Sequence, residues 1–335
     1  MDSLTQIALG SAVSVAVMGR HTAVWKAALW GAVAGTLPDL DAFIDHGNAI
    51  LNMTRHRAES HALFYLTLAA PLLAWGAARL SGEAALFRRW WLAMWLALIT
   101  HPLLDVMTVY GTQLLQPFSN YPYGVGSIFI IDPLYTVPLL VGVGVALALK
   151  NRRGLRWNAA GLVVATLYLG WSVVAQQQAT QVARASLQAE GMAASGLLVT
   201  PSPFNTLLWR LVATTPTQYF EGHYSLLDNS KRIVWTTHER GAALIVQHAQ
   251  APLVARIAAF SHGFFRMSTE QGQLFVTDLR MGQEPAYTFN FDLGTPAELA
   301  AGTQAPVLAS RRPDLSTALP WLWRRMWGEA LPPPG

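Results

Sequence analysis

The sequence has no cysteine and few charged residues, and both shortages exclude classes of protein. Without cysteine, the chain can form neither disulfide bonds nor thiolate metal sites. Charged residues make up 13% of the 335 residues, about half the share of an ordinary soluble domain, and the mean hydropathy is +0.29. The formal net charge of +4 is too small to indicate a nucleic-acid-binding surface, so we expect no nucleic-acid partner.

Long apolar segments fill the first half of the chain and predict a membrane domain. Six of them follow one another, at residues 4–19, 23–37, 62–80, 90–107, 132–149 and 157–175. A membrane-spanning helix needs roughly 17–25 residues, which the last four segments reach and the first two do not. We therefore predict four membrane-spanning helices, with the lipid bilayer as partner, and count the two shorter segments as further spans that form a tilted pair or a shallow hairpin.

Basic residues are distributed unevenly among the loops and predict an orientation. Those that follow the first, third and fifth segments are Arg20, Lys26, Arg79, Arg88, Arg89, Lys150, Arg152, Arg153 and Arg156. Loops 38–61 and 108–131 contain only Arg55 and Arg57. Because basic loops tend to stay in the cytoplasm, we expect a multi-pass protein of the bacterial inner (cytoplasmic) membrane. Loops 38–61 and 108–131 then face outward, and the C-terminal domain is periplasmic.

The composition changes after residue 175, and we predict a domain boundary there. Residues 1–175 are expected to form a multi-span α-helical membrane domain, and residues 176–335 a small, sheet-rich α+β soluble domain. Residues 176–194 are typical of a linker or of a helix that leads into this domain. Segments 232–237, 243–247, 273–279 and 286–291 have strand composition and are separated by Gly, Asn and Asp turns.

An aromatic and basic segment lies near the end of the chain. It contains Trp321, Trp323, Arg324, Arg325 and Trp327. Such a segment can rest on a membrane surface, where Trp and basic side chains are favoured. It can equally pack its Trp side chains against the soluble domain, and the sequence leaves both alternatives open.

Histidine and aspartate side chains gather near the predicted outer ends of the apolar segments. The set contains Asp39, Asp41, His56, His61, His101 and Asp105. His101 and Asp105 are four residues apart, so on a helix both project from one face and can bind the same ion. An ionised Asp inside a span costs about 2.5–3.5 kcal/mol, and such residues usually have a functional role.

This combination of side chains predicts a metal site. Imidazole and carboxylate together suit Zn, Mn or Fe better than Ca, and we favour zinc. Together with Asp132, the set contains four carboxylates and three imidazoles, which is more than the four ligands of one tetrahedral site. A centre of two ions about 3.5–4 Å apart would use them. Asp132 precedes Pro133, so it is equally a candidate N-cap of the fifth segment and a metal ligand.

Arg57 and Glu59 lie between two of the histidines and are candidate catalytic residues. Arg57 is placed to hold a phosphate group, although an interfacial arginine that extends towards water gives the same pattern. Glu59 is a candidate general base.

Several of these motifs occur in the same order in a known family. They are Asp2-Ser3-Leu4-Thr5-Gln6, Pro38–Asp41, His56-Arg57 with Ser60-His61, Thr100–Asp105, Tyr110–Gln113 and Ile131–Tyr135. Over roughly residues 1–140 the chain resembles the bacterial membrane-bound metal-dependent hydrolases, also described as LexA-binding, inner membrane-associated hydrolases. The resemblance implies ligand roles for Asp39, Asp41, His56, His61, His101 and Asp105. It also implies a cytoplasmic partner, LexA, which conflicts with a periplasmic C-terminal domain.

Two functions follow from these observations. The first is a membrane-embedded metal-dependent hydrolase that acts at the membrane surface on a phosphoester or lipid-like substrate. The second is a non-catalytic, metal-stabilised membrane scaffold or sensor whose soluble domain binds a partner. An open coordination position on the metal distinguishes them, because structural metal sites are closed whereas catalytic ones keep a position for water or substrate.

Overall fold

The structure is a computed structural model that describes residues 1–311 and 313–333. It divides into two compact units. The first contains Met1–Ile44 and His56–Ser172, and the second contains Asp45–Arg55 and the chain from Val173 onward. The N-terminal region is helical and the C-terminal region contains the sheets, which confirms the order of structural classes predicted from composition.

Helices make up the first unit. They are α1 (Ser3–Met18), α2 (Val24–Thr36), α4 (Leu63–Leu80), α5 (Phe87–Val106), α6 (Pro133–Leu149) and the first part of α7 (Arg152–Ala189), whereas α3 (Ala49–Arg55) belongs to the second unit. Side-chain caps fix where two of them begin. Asp2 accepts a hydrogen bond from the backbone of Thr5 at the start of α1, and Asp132 caps α6 directly before a proline.

Two helices of the described chain are long and apolar enough to cross a membrane, α4 and α7. A third candidate arises only if the bent pair of short helices within residues 242–260 is counted as one span. Helices α1 and α6 are apolar but shorter, and α5 carries Arg88, Arg89 and Asp105 among its apolar residues. The predicted arrangement of four full spans and two short apolar helices is therefore not confirmed.

Glycines bring α1 and α2 into backbone contact. A Cβ atom added to Gly10 would lie 2.2 Å from the carbonyl oxygen of Gly31, and one added to Gly35 would lie 2.4 Å from that of Gln6. Only glycine permits so close an approach, and small residues at helix contacts are typical of packing inside membranes. This contact fixes the C-terminal end of α2, from which the candidate site begins.

The second unit contains two antiparallel four-stranded sheets and a small two-stranded one. The first sheet, in the order β1-β2-β3-β4, consists of β1 (Gly196–Pro201), β2 (Leu208–Thr214), β3 (Gln218–Ser225) and β4 (Thr236–Glu239). The second sheet consists of β5 (Phe265–Glu270), β6 (Gln273–Asp278), β9 (Asn290–Asp292) and β10 (Val307–Leu308), in the order β10-β9-β6-β5. The remaining elements are β7 (Gly282–Gln283), β8 (Ala286–Tyr287), α8 (Ala242–His248), α9 (Pro252–Phe260), α10 (Pro296–Ala301) and α11 (Leu315–Met326).

The C-terminal part of α7 packs on the first sheet. Ala175, Ala179 and Ala183 are fully buried in a core that also contains Trp209 and Leu211. Most of the polar stretch 176–194 is therefore the continuation of α7, which runs without a break across residue 175. The predicted domain boundary at this point stays a prediction.

The predicted strands have mixed outcomes. Segment 273–279 agrees with β6, segment 286–291 is divided between β8 and β9, and segment 232–237 overlaps only the start of β4. The prediction of a strand at 243–247 is wrong, because these residues form α8. A run of four apolar residues, Ala243–Val246, has no periodicity that distinguishes a strand from one turn of a helix.

Candidate metal centre

Four side chains of the first unit converge on one point. Asp39, His61, His101 and Asp105 each offer one ligand atom, and these atoms all lie within 4.8 Å of one another. Asp39 belongs to the 3₁₀ helix Pro38–Phe43 that follows α2, and His61 to the 3₁₀ helix Glu59–His61 that precedes α4. His101 and Asp105 lie one turn apart on α5, as their spacing predicted. We refer to these four residues as the His/Asp cluster.

The distances within the His/Asp cluster are those of a tetrahedral site. The Nε2 atoms of His61 and His101 are 3.1 Å apart. Each lies 3.4 Å from Asp39 Oδ1, and they lie 3.2 Å and 3.4 Å from Asp105 Oδ2. A tetrahedron of nitrogen and oxygen ligands around zinc, with bonds of about 2.0–2.1 Å, has edges of about 3.3–3.4 Å. Five of the six donor–donor distances therefore match one ion of this size, and the sixth, between the Asp39 and Asp105 oxygens, is within 4.8 Å.

The outer nitrogen of His101 is held in one protonation state by the backbone. His101 Nδ1 lies 2.7 Å from the carbonyl oxygen of Gly35. Because a carbonyl only accepts hydrogen bonds, Nδ1 carries a proton, and Nε2 is the nitrogen that faces the cluster and is available to a metal. This is the arrangement of a metal-binding histidine whose second nitrogen is fixed by a hydrogen bond.

The outer nitrogen of His61 is fixed by a relay through Ser60. The Ser60 hydroxyl donates to Asp41 Oδ2 at 2.5 Å and lies 2.8 Å from His61 Nδ1. Since the hydroxyl has one proton and gives it to Asp41, it must accept from His61 Nδ1. Both imidazoles thus use Nδ1 for these outer contacts and turn Nε2 towards the other at 3.1 Å, so both Nε2 atoms are placed to bind one cation.

Asp105 has one satisfied oxygen and one that points into the cluster. Its Oδ1 accepts a hydrogen bond from Gln6 Nε2 at 3.1 Å and contacts the amine nitrogen of Met1. Its Oδ2 is buried and has no hydrogen-bond partner among the described residues. Arg57 Nε lies 3.3 Å from this oxygen as an ion pair but is not aligned for a hydrogen bond. A buried carboxylate oxygen without a hydrogen bond, 3.2 and 3.4 Å from two imidazole nitrogens, is what a bound cation would satisfy.

Comparison with known proteins places the chain in a family. A family model described as "YdjM inner membrane protein" matches residues 1–179. The chain belongs to this family. A relative described as "Uncharacterized protein YfhP", from Bacillus subtilis (strain 168), is 24% identical over 250 residues, which cover 70% of this chain and 72% of the relative. No solved structure matches the chain.

Membership in the YdjM family confirms part of the resemblance seen in the motifs. The family is one of inner membrane proteins, in agreement with the predicted membrane. The matched residues 1–179 include all four members of the His/Asp cluster. Hydrolytic activity and association with LexA remain predictions for this YdjM-family chain.

Asp41 and His56 lie beside the cluster rather than within it. His56 Nδ1 donates to Asp41 Oδ1 at 2.8 Å, and the backbone nitrogen of Arg57 donates to Asp41 Oδ2 at 2.9 Å. Burial raises the pKa of Asp41, but the hydrogen bonds from His56 and Ser60 outweigh burial and lower the pKa below its ordinary value. With both oxygens engaged, Asp41 orients its histidine neighbours.

The remaining predicted site residues are dispersed. Arg57 is buried, donates to Thr108 Oγ1 at 3.1 Å and lies over the Tyr110 ring. Its φ of 64° is rarely adopted by residues with a side chain. Glu59 is exposed. Asp132 caps α6 and accepts from the Tyr168 hydroxyl at 2.8 Å, so the structure shows the cap arrangement that the sequence left as one of two alternatives.

Three positioning residues were not singled out from the sequence. Gln6 donates to Asp105 and to the carbonyl oxygen of His101, Ser60 links His61 to Asp41, and Gly35 supplies the acceptor for His101. Gln6 and Ser60 lie inside motifs on which the family resemblance rests, and Gly35 lies three residues before the Pro38–Asp41 motif. The motif order contained the signal, but the contacts of a serine, a glutamine or a backbone carbonyl are not readable from spacing.

Proposed function

We propose that this chain is a membrane-embedded metal-dependent hydrolase that acts at the membrane surface on a phosphoester or lipid-like substrate. The observation that supports it is the convergence of two imidazole nitrogens and two carboxylate oxygens, most of them 3.1–3.4 Å apart. Zinc suits this donor set, with manganese and iron as alternatives. When bound, a divalent ion supplies Lewis acidity, which polarises a substrate oxygen and lowers the pKa of water.

The charges around the cluster favour an anionic substrate. Asp39 and Asp105 together neutralise a divalent ion. Arg57 adds a positive charge that lies 3.3 Å from Asp105 and is largely shielded from solvent. The ion, its two carboxylates and Arg57 together carry one positive charge in a low-dielectric surrounding, where electrostatic attraction is strong, and the Asp41 carboxylate beside His56 offsets part of it. A phosphoester, with its anionic oxygens, is the ester that this charge balance recognises best.

Exposure indicates the side from which a substrate reaches the cluster. The side chains of His61, His101 and Asp105 are fully buried, whereas that of Asp39 is 21% exposed and that of neighbouring His56 is 24% exposed. We assign His56 Nε2 to accept a proton from the attacking water, because Asp41 holds the other nitrogen as a donor. Glu59, exposed on the same loop, is the second candidate base.

A second function is favoured by a specific observation. Four protein donors complete a tetrahedral site, as in structural zinc sites, whereas catalytic sites have three protein ligands and one open position. If all four residues bind together, the chain is a metal-stabilised scaffold or sensor. Asp39, as the most exposed of the four, is the ligand that would have to leave for catalysis.

The location of the site is part of the proposal. The distribution of basic residues supports a multi-pass arrangement with the cluster and the C-terminal domain on the outer side of the inner membrane. Association with LexA would require the C-terminal domain to be cytoplasmic, so we leave it out of the proposed function.

Metal content of the detergent-purified protein is the first test. We expect one equivalent of zinc, manganese or iron in the wild type and in the control variant Asp132→Ala. His101→Ala and Asp105→Ala should lose the metal. A wild type that stays metal-free after reconstitution with each ion would remove the basis of both functions.

Activity then separates the two functions. The metal-loaded protein is assayed with bis(p-nitrophenyl) phosphate and with phospholipids, alongside His56→Gln and Glu59→Gln. Hydrolysis that is abolished in His56→Gln with full metal content supports the enzyme and the assigned base. Absent hydrolysis, together with X-ray absorption showing four protein ligands and no water, supports the scaffold.

A further inference from the structure

Helix α11 packs against the first sheet through one face. The Trp321 ring lies 5.0 Å from the His223 ring. One turn later, Arg325 donates to both oxygens of Asp228, at 2.5 and 2.7 Å, and to the carbonyl oxygen of His223 at 3.0 Å. These contacts attach α11 to the C-terminal end of β3.

The opposite face of α11 carries an exposed apolar stripe. Leu315, Leu319, Trp323 and Trp327 recur every four residues, and each is between 47% and 61% exposed. At 100° per residue, this stripe lies on the side of the helix opposite Trp321. Single exposed apolar residues are ordinary, but four large ones in a continuous row mark a surface that contacts something apolar.

The strand register places α11 at the end of the sheet where α7 enters the second unit. Gln176 of α7 donates to the carbonyl oxygen of Val199 at 2.9 Å, so β1 runs back along α7 towards its apolar part. Pro201 at the end of β1 pairs with Trp209, which pairs with Tyr224 near the end of β3. The C-terminal ends of β1 and β3 therefore both lie at the end of the sheet that is near Gln176, where α7 enters the second unit.

Two further exposed apolar residues lie at this same end. Phe204 is in the turn between β1 and β2, and Leu227 follows β3 directly. The C-terminal end of α11 is next to Leu227, because a Cβ atom on Gly328 would lie 2.8 Å from the Leu227 carbonyl oxygen. The stripe thus continues into a broader apolar edge.

We propose that α11 lies in the membrane–water interface, with its apolar stripe inserted into the bilayer that α7 spans. The candidate span in α7 precedes Gln176, so the bilayer is brought to the end of the sheet that carries α11. Trp is enriched at this depth of a membrane, and a helix with one strongly apolar face is the usual form of an interfacial anchor.

Burial of apolar side chains, rather than attraction to anionic lipids, drives this contact. Arg324 is paired with Glu329 at 2.6 Å, and Arg325 points inward to Asp228. The exposed face therefore has little net charge. Insertion is expected to be the same in neutral and anionic membranes and to resist salt.

The absence of cysteine makes the test direct. Leu319→Cys and Trp323→Cys are labelled with an environment-sensitive fluorophore in the full chain, which is reconstituted in phosphatidylcholine nanodiscs with and without brominated lipids. The control, Thr217→Cys, is exposed in the turn between β2 and β3 at the opposite end of the sheet. We expect brominated lipids to lower the fluorescence at both stripe positions about twofold, as for a probe buried several ångströms into the bilayer, and to leave the control unchanged.

Three results would overturn the proposal. The first is that brominated lipids quench the fluorescence of the stripe probes no more than that of the control probe. Another is energy transfer between stripe probes on two differently labelled copies in one nanodisc, which would indicate that a second copy of the chain covers the stripe. The third is quenching that requires phosphatidylglycerol and disappears at high salt, which would indicate an electrostatic contact.

Discussion

Replacement of Ser60 by alanine tests whether the relay to Asp41 prepares His61 for metal binding. The hydroxyl lies 2.5 Å from Asp41 Oδ2 and 2.8 Å from His61 Nδ1. Without it, the nearest acceptor for Nδ1 is Asp41 Oδ2 at 3.6 Å, which is beyond hydrogen-bonding distance. His61 then gains access to the tautomer that carries the proton on Nε2, and this tautomer cannot bind a metal through the nitrogen that faces the cluster.

The expected magnitude follows from comparable hydrogen bonds to metal-binding histidines. Their loss weakens metal affinity about 10- to 100-fold, or about 1.4–2.7 kcal/mol. The assay is a competition titration of the detergent-purified protein against a chelator of known zinc affinity. Ser60→Thr retains the hydroxyl and should bind within about threefold of the wild type, since threonine donates and accepts in the same way.

Two outcomes would refute this reasoning. If Ser60→Ala binds zinc as tightly as the wild type, the serine does not set the protonation state of His61. If Ser60→Thr is as weak as Ser60→Ala, the effect comes from the shape of the 3₁₀ turn and not from the hydroxyl.

Three further predictions concern other parts of the chain. Asp132→Ala should keep the metal content and lower the free energy of unfolding by about 1 kcal/mol through loss of the α6 cap; loss of metal would show instead that Asp132 is a ligand. Burial lowers the pKa of His223 to about 4, below its ordinary value of about 6.5. The contribution of this residue to the free energy of unfolding is therefore present above pH 6.5 and is lost as the pH falls towards 4, by at most about 3 kcal/mol. Denaturant unfolding of the full chain at a series of pH values should show this decrease, and His223→Gln should make it smaller. A fluorescent protein that matures only in the cytoplasm, fused to the C terminus, should stay dark, and fluorescence would contradict the periplasmic placement.

The core of the candidate site was predictable because its signals are local. His101 and Asp105 share a helix face through their spacing alone, and Asp39 and His61 lie where apolar segments end, so close packing of the segments brings their ends together. The structure groups these four residues as expected. The sequence also indicated Zn, Mn or Fe through the types of side chain, which do not depend on the fold.

The roles of the neighbouring residues depend on short-range geometry that spacing does not contain. Asp41 is two residues from Asp39, but in a 3₁₀ helix it faces His56 and Ser60. The positive φ of Arg57 turns the chain between the two histidines, and nothing in the sequence requires it. Of the predicted ligands, four meet in the His/Asp cluster, and Asp41 and His56 form a hydrogen-bonded pair beside it. The ligand roles of these residues and the idea of a second ion remain predictions.

The contact between the glycines of α1 and α2 has a consequence for how the protein tolerates mutation. Gly35 contacts the backbone of Gln6, and its carbonyl oxygen accepts the hydrogen bond from His101 Nδ1. Gln6 in turn donates a hydrogen bond to Asp105. Any side chain at Gly35 would separate the two helices and shift the acceptor and the donor that orient two metal ligands at once. In a random mutagenesis screen for metal retention, Gly35 should therefore score as intolerant as His101, although it has no side chain with which to bind an ion.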